Sequence, residues 1–200
     1  MEGYKARTFN IPKVEGISEK TMEVHLGLYA GYVKNLNLHY EALKILEEQE
    51  SKNMYVAPTI TALTRRISFE LAGVMNHELF FEVLEGGPAE LSKSGNLYDA
   101  IKKQYGSFDA FTDHILKMSV EMRGIGWVLV TYDKEREVLH ALWVCDHELG
   151  NVNLPALLAI DMWEHAYLMD YLPAEKGKYA EVYLNAINWK TVEKTFRKLQ

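Results

Sequence analysis

With 200 residues, 48% of them hydrophobic, and a net charge of −6, the chain has the composition of a globular protein large enough to bury a core without staples, which excludes a disordered or collagen-like chain. The acidic balance leaves no long basic stripe for phosphates, and no stretch approaches the roughly 18 apolar residues of a membrane span, so neither a nucleic-acid nor a membrane partner is expected. One cysteine, Cys145, closes no internal disulfide, and the polar first 20 residues lack the apolar segment of a secretory leader; both predict a reducing, cytoplasmic location.

After a loose leader containing Pro12 and Gly16, Ser18 has the character of a helix N-cap. Met22, Leu26, Tyr29, Val33, Leu36, Tyr40, Leu43 and Leu46 then recur at helical spacing, predicting a helix from Glu19 to about Glu47. The polar run Glu48 to Asn53 reads as a turn. Pro58 suits the first turn of a second helix that ends before Gly86-Gly87-Pro88. The Thr64-Arg65-Arg66 run on that helix reads as a solvated face. Helices follow from Leu97 to Tyr105 and from Ser107 to about Met122, separated at Gly106. Beyond Gly124 the period changes to two: Trp127 to Tyr132 and Glu137 to Val144 read as a strand pair joined by the charged turn Asp133–Arg136, and Leu154 to Ile160 as a third strand. Helices from Trp163 and Gly177 are expected to finish the chain, with Asn188 capping the last turns. The order predicts an α+β protein: a long antiparallel α-hairpin over residues 1–90, then an α+β domain with a three-stranded antiparallel sheet over residues 91–200.

Two features stand out among the seven histidines. His25 and His77 are equidistant from the expected turn, so a hairpin sets them level with each other. Asp161 closes the third strand and His165 follows four residues later. Those two side chains either address one metal through carboxylate and imidazole or form an ordinary ion pair. Other templates are weaker. The chain contains no G-x-S-x-G, no H-E-x-x-H and no P-loop; Glu137 and His140 form a single E-x-x-H, in a strand pattern where a di-iron bundle needs two helical copies. Cys145 beside His147 reads as an inert buried thiol rather than a nucleophile.

At these residues the chain resembles the iron/manganese superoxide dismutase family. Asp161-Met162-Trp163-Glu164-His165-Ala166-Tyr167 matches the family's D-x-W-E-H-A-Y signature. Asn76-His77, the run from His25 through Tyr32 to Asn37, Tyr105–Phe108, Gly124–Trp127 and Asn188-Trp189 match further family segments. The resemblance implies one iron or manganese ion held by His25, His77, Asp161 and His165. The metal alternates between trivalent and divalent states, taking an electron from one superoxide and returning it to a second, so that dioxygen and hydrogen peroxide leave. It also implies Tyr32 as the active-site tyrosine, Trp127 and Trp163 as an aromatic wall, Tyr167 at the gateway, and a homodimer or higher homo-oligomer in which Glu164 hydrogen-bonds the partner's metal-binding histidine.

The family pattern is departed from in four places. His25 and Tyr32 are seven residues apart where the family has eight, which removes the need for a π-type bulge and leaves Tyr29 as a competitor for the tyrosine role. The family's glutamine is missing at both its positions: one is Gly73, and the other, on the strand leading to Asp161, falls near His147, expected to hydrogen-bond the metal's solvent in its place. The histidine four residues after the first ligand is Tyr29. The funnel arginine has no counterpart, with Lys176 and Lys178 its nearest substitutes. The altered surroundings keep a second reading open, a divergent metal-binding member without dismutase activity and with a structural or sensing role.

Overall fold

The computed structural model describes residues 3–52, 54–147 and 154–200. Helix α1 (Glu19–Glu50) starts where Ser18, in extended conformation, accepts a hydrogen bond on its hydroxyl from the Thr21 N–H. Its buried residues Thr21, His25, Tyr29, Val33 and Leu36 form one stripe at spacings of four and three. Helix α2 (Ala57–Glu82) carries Pro58 in its first turn and buries Ile67, Glu70, Gly73, Val74, His77, Phe80 and Phe81 on a matching stripe. The two pack antiparallel as the expected hairpin. α1 continues through the first residues of the expected turn, which contracts toward the second helix; Asn53 lies outside the described residues.

Helices α3 (Asn96–Tyr105) and α4 (Phe108–Glu121) are separated by Gly106, whose φ of 85° ends the first, and Ser107, whose hydroxyl accepts the Ala110 N–H and starts the second. The sheet has strand order β2-β1-β3 and is antiparallel throughout. Strand β1 (Trp127–Asp133) lies at its centre and is buried along its whole length, Thr131 and Asp133 included. Strand β2 (Val138–Val144) begins one residue later than its periodicity indicates, because Glu137 takes a left-handed φ of 54° to finish the turn. In β3 (Ala156–Asp161) the register sets Asp161 opposite Trp127.

The predicted helix from Trp163 is replaced by a 3-10 turn, Glu164–Ala166, and further turns to Asp170. Backbone bonds there alternate between three- and four-residue reach, so no continuous helical ladder forms. Helices α5 (Lys176–Ala186) and α6 (Trp189–Leu199) close the chain. Asn188 precedes α6 without capping it; its side-chain N–H instead donates to the Glu85 carbonyl, tying α6 to the end of the hairpin.

Candidate metal centre

Four side chains converge from four places in the fold: His25 from α1, His77 from α2, Asp161 from the end of β3 and His165 from the 3-10 turn. Their ligand-type atoms all lie within 4.8 Å of one another. Asp161 Oδ2 is 3.1 Å from His25 Nε2, 3.0 Å from His165 Nε2 and 3.7 Å from His77 Nε2. The other carboxylate oxygen, Oδ1, accepts the Trp163 backbone N–H at 2.8 Å, which fixes the plane of the carboxylate. Three of the side chains are at most 2% exposed, whereas His165 is 20% exposed.

The tautomer of His77 follows from its neighbours. Its Nδ1 lies 2.7 Å from the Gly73 carbonyl, an acceptor only, so Nδ1 carries the proton and Nε2 turns a bare lone pair into the centre. That Nε2 is buried with no hydrogen-bond partner. A buried acceptor left unpaired among two more imidazoles and a carboxylate is the arrangement that a metal ion satisfies, and the donor set suits first-row ions such as iron and manganese. The electrostatics agree. Burial, with His25 close by, pushes His77 down to about 3 and so keeps it neutral. Burial likewise pushes His25 down despite Asp161. Burial alone would raise Asp161, but His165 and His25 hold it well below the usual carboxylate range. His165, less buried, is raised by Asp161.

The outer side of the centre is aromatic. Tyr32 lies on the His25 face of α1, which runs as α-helix throughout and without a π segment. Its hydroxyl is 3.1 Å from His147 Nε2. Trp127 Nε1–H donates to His147 Nδ1 at 3.2 Å, so in the neutral ring Nε2 carries the proton and gives it to the Tyr32 oxygen. The single donor expected to serve the metal's solvent is therefore directed at Tyr32. His147 also sits just past β2 and not on the strand leading to Asp161. Trp163 stacks on His147 at 5.0 Å and 14°. Burial, then the Asp161, Glu70 and Asp146 carboxylates, push Tyr32 up to about 12, with Arg66 acting against them, so the phenol keeps its proton at neutral pH. Tyr29 does not compete for this place: its hydroxyl donates to Glu78 and accepts the Arg7 N–H, both at 2.8 Å.

Two further residues shape this side. Gly73 packs so close to Tyr32 that a Cβ would lie 2.8 Å from the ring. The Tyr32 ring thus fills the space into which a side chain at position 73 would project. Phe69 packs edge-on against His147 at 4.6 Å and lies 6.1 Å from Tyr32. Phe69 precedes His77 by eight residues, about 2.2 helical turns, so helical spacing alone does not set it on the ligand's face.

Glu164 is exposed and Tyr167 buried, the latter with its ring 5.5 Å from Tyr179. His114 lies beside Tyr105, and His140 sits on β2 opposite Thr131, both away from the cluster. Cys145 is exposed, contrary to its reading as a buried thiol. Lys176 donates to the Met122 carbonyl and Lys178 pairs with Glu175 at 2.7 Å, so both expected funnel lysines are engaged elsewhere.

Comparisons with known proteins cover most of this architecture. Residues 13–85 match the family model for the alpha-hairpin domain of iron/manganese superoxide dismutases, and residues 93–195 match that for the C-terminal domain. An iron superoxide dismutase of Pyrobaculum aerophilum is 30% identical over 185 residues, covering 91% of this chain and 85% of the relative. A manganese superoxide dismutase of Corynebacterium diphtheriae is 34% identical over 148 residues, 72% of each chain. A Mn/Fe superoxide dismutase of Aeropyrum pernix is 32% identical over 181 residues, covering 89% of this chain and 82% of the relative.

Proposed function

Because the chain belongs to the iron/manganese superoxide dismutase family, we propose that His25, His77, Asp161 and His165 hold one iron or manganese ion, at which superoxide is disproportionated to dioxygen and hydrogen peroxide. The observation that carries the assignment of residues is the unpartnered Nε2 of His77, aimed into a buried group of two imidazoles and a carboxylate. When bound, the metal supplies a one-electron couple that accepts an electron from one superoxide and returns it to another.

The chain's own residues do the rest. Asp161 contributes the one negative charge of the set, which favours a more highly charged ion, and the Trp163 N–H keeps its carboxylate from rotating. Tyr32 holds a proton at its hydroxyl oxygen; with one lone pair taken by His147, that O–H is left to donate to a small anion beside the centre. Trp127, Trp163 and Phe69 surround His147 with ring faces and edges and restrict water around the Tyr32–His147 pair. Glu164, exposed within one chain, reaches His165 of a second copy, so the working unit is a homodimer or a higher homo-oligomer. We place the boundary between the two domains at residues 90 and 91, and the protein in the cytoplasm, which a lone unpaired cysteine supports; among the described residues no helix is long and apolar enough to cross a membrane.

The test is metal content and superoxide consumption measured on one preparation loaded with iron or with manganese. One ion per chain together with catalytic consumption is expected, and His77→Ala should lose both. The second reading, a metal-binding member without dismutase activity, draws on the missing glutamine of the family, with Gly73 at one of its positions and His147 near the other. Full metal occupancy without catalysis by either metal would select it.

A further inference from the structure

Superoxide is a monovalent anion, and this chain carries 28 acidic against 22 basic side chains. Its overall field repels the substrate, so capture depends on a positive charge placed close to the centre. Lys176 donates to the Met122 carbonyl and Lys178 pairs with Glu175, contacts that hold both lysines at the start of α5 and the end of α4. Arg66 is differently placed. It precedes Phe69 by three residues on α2, which sets both on one face of the helix. Its guanidinium carbon lies 4.6 Å from the Phe69 ring centroid, and that ring lies 4.6 Å from His147. A single aromatic ring therefore separates the cation from the Tyr32–His147 pair. The reading of Thr64-Arg65-Arg66 as a solvated face holds only in part, because Arg66 folds back over Phe69.

The counter-charge is arranged asymmetrically. Arg66 Nη2 is 3.3 Å from Glu70 Oε1, but the Arg66 side chain is 56% exposed and Glu70 only 2%. The second carboxylate oxygen of Glu70 is buried without a hydrogen-bond partner. An anion arriving from solvent meets the guanidinium first and the carboxylate behind it. A stacked guanidinium is also a fixed charge: it is planar, weakly hydrated and protonated at any working pH.

We propose that Arg66, stacked on Phe69, is the positioning residue that guides superoxide to the Tyr32 side of the metal centre, in the place of the family's absent funnel arginine. The proposal rests on the dismutase reading for its substrate, and Glu70 limits its strength.

The experiment uses the metal-loaded full chain and two readouts, the second-order rate constant for superoxide and the affinity for azide, each over a series of ionic strengths. At low salt Arg66→Gln should lower both by about two- to five-fold, one charge's share of a steering effect that spans about 10–1,000-fold in whole proteins. Arg66→Glu should lower them further, Arg66→Lys should retain most of the wild-type value, and Glu70→Gln should raise both. The differences should close as added salt shortens the screening length to about 3 Å near 1 M. Arg66→Glu matching wild type at low salt in both readouts would overturn the proposal. Deficits that persist undiminished at high salt, or an Arg66→Lys variant as poor as Arg66→Glu, would also overturn it, since both mark lost packing and not lost charge. If the loaded wild type does not consume superoxide, the dismutase reading fails, and the azide series alone decides whether Arg66 attracts anions.

Discussion

A neutral imidazole has one N–H to give, and at His147 the Trp127 indole decides where it goes. Because Trp127 can only donate, it occupies Nδ1 and leaves the proton on Nε2, facing the Tyr32 oxygen. A glutamine at position 147 has a carbonyl for Trp127 and two N–H groups, so His147→Gln should keep the metal, preserve the Tyr32 contact and gain a second donor. The expected outcome is a shifted reduction potential at unchanged metal content, read by redox titration; an unchanged potential would reduce His147 to packing. Gly73 sets the other side of Tyr32. Alanine in a helix interior ordinarily gains about 0.5–1 kcal/mol over glycine, but the 2.8 Å approach to the Tyr32 ring turns the sign, since overpacking costs about 1–3 kcal/mol. Gly73→Ala should therefore lower both the melting temperature and the superoxide turnover, and a more stable, fully active variant would refute the steric argument. The residues that bear chemistry by type, the histidines and Asp161, were legible from spacing and motif. Phe69, Gly73 and Arg66 were not, because a phenylalanine, a helical glycine and a surface arginine acquire their roles only from what the fold sets beside them.

At the scale of elements, the start of α1 is held by a residue far along the chain. Asp170 Oδ2 accepts the Ser18 N–H at 2.8 Å and the Thr21 hydroxyl at 2.6 Å, which fastens the hairpin that carries His25 to the segment that follows His165. Burial alone would raise the Asp170 carboxyl, but these hydrogen bonds hold it below its ordinary 3.8. A carboxylate whose folded value is depressed stabilises the fold fully above the unfolded value and loses that contribution as pH falls through the folded one. Asp170→Ala should thus cost about 1 kcal/mol at neutral pH, less than a buried charge-assisted pair because Asp170 is exposed. The difference from wild type should shrink below pH 3.8, measured by urea unfolding at a series of pH values; a difference independent of pH would assign the loss to something other than the ionised carboxylate. The long helices and the sheet were readable because burial on one face imposes a period, and Ser18, Gly106 and Ser107 mark their ends by local chemistry. The segment from Trp163 to Asp170 was misread as helix for the opposite reason. Its side chains are committed to partners elsewhere, Asp170 to α1 and His165 to Asp161, and those contacts break the local ladder.

For the whole molecule, the least complete part of the metal centre is also the part nearest the surface. His165 is 20% exposed, Glu164 beside it is exposed, and Leu168, Met169 and Leu172 follow with 41%, 50% and 68% of their surfaces in solvent. In the homodimer proposed above, a second copy of the chain covers this apolar rim beside the partly exposed imidazole, and the two-fold arrangement brings the Glu164 of each copy to the His165 of the other. A carboxylate that accepts a hydrogen bond from a metal-binding imidazole fixes the ring and raises its basicity, and losing such a partner typically costs about 10–100-fold in metal affinity. In that proposed dimer, assembly and metal retention are one equilibrium. Glu164→Ala should weaken both together: the variant should dissociate at a higher concentration than wild type in sedimentation, and lose its metal faster to a chelator at the same dilution. Glu164→Gln, which retains an acceptor without the charge, should fall between the two. A wild-type monomer that keeps metal and activity at high dilution, or a Glu164→Ala variant that dissociates without shedding metal faster, would show that His165 needs nothing from a second chain.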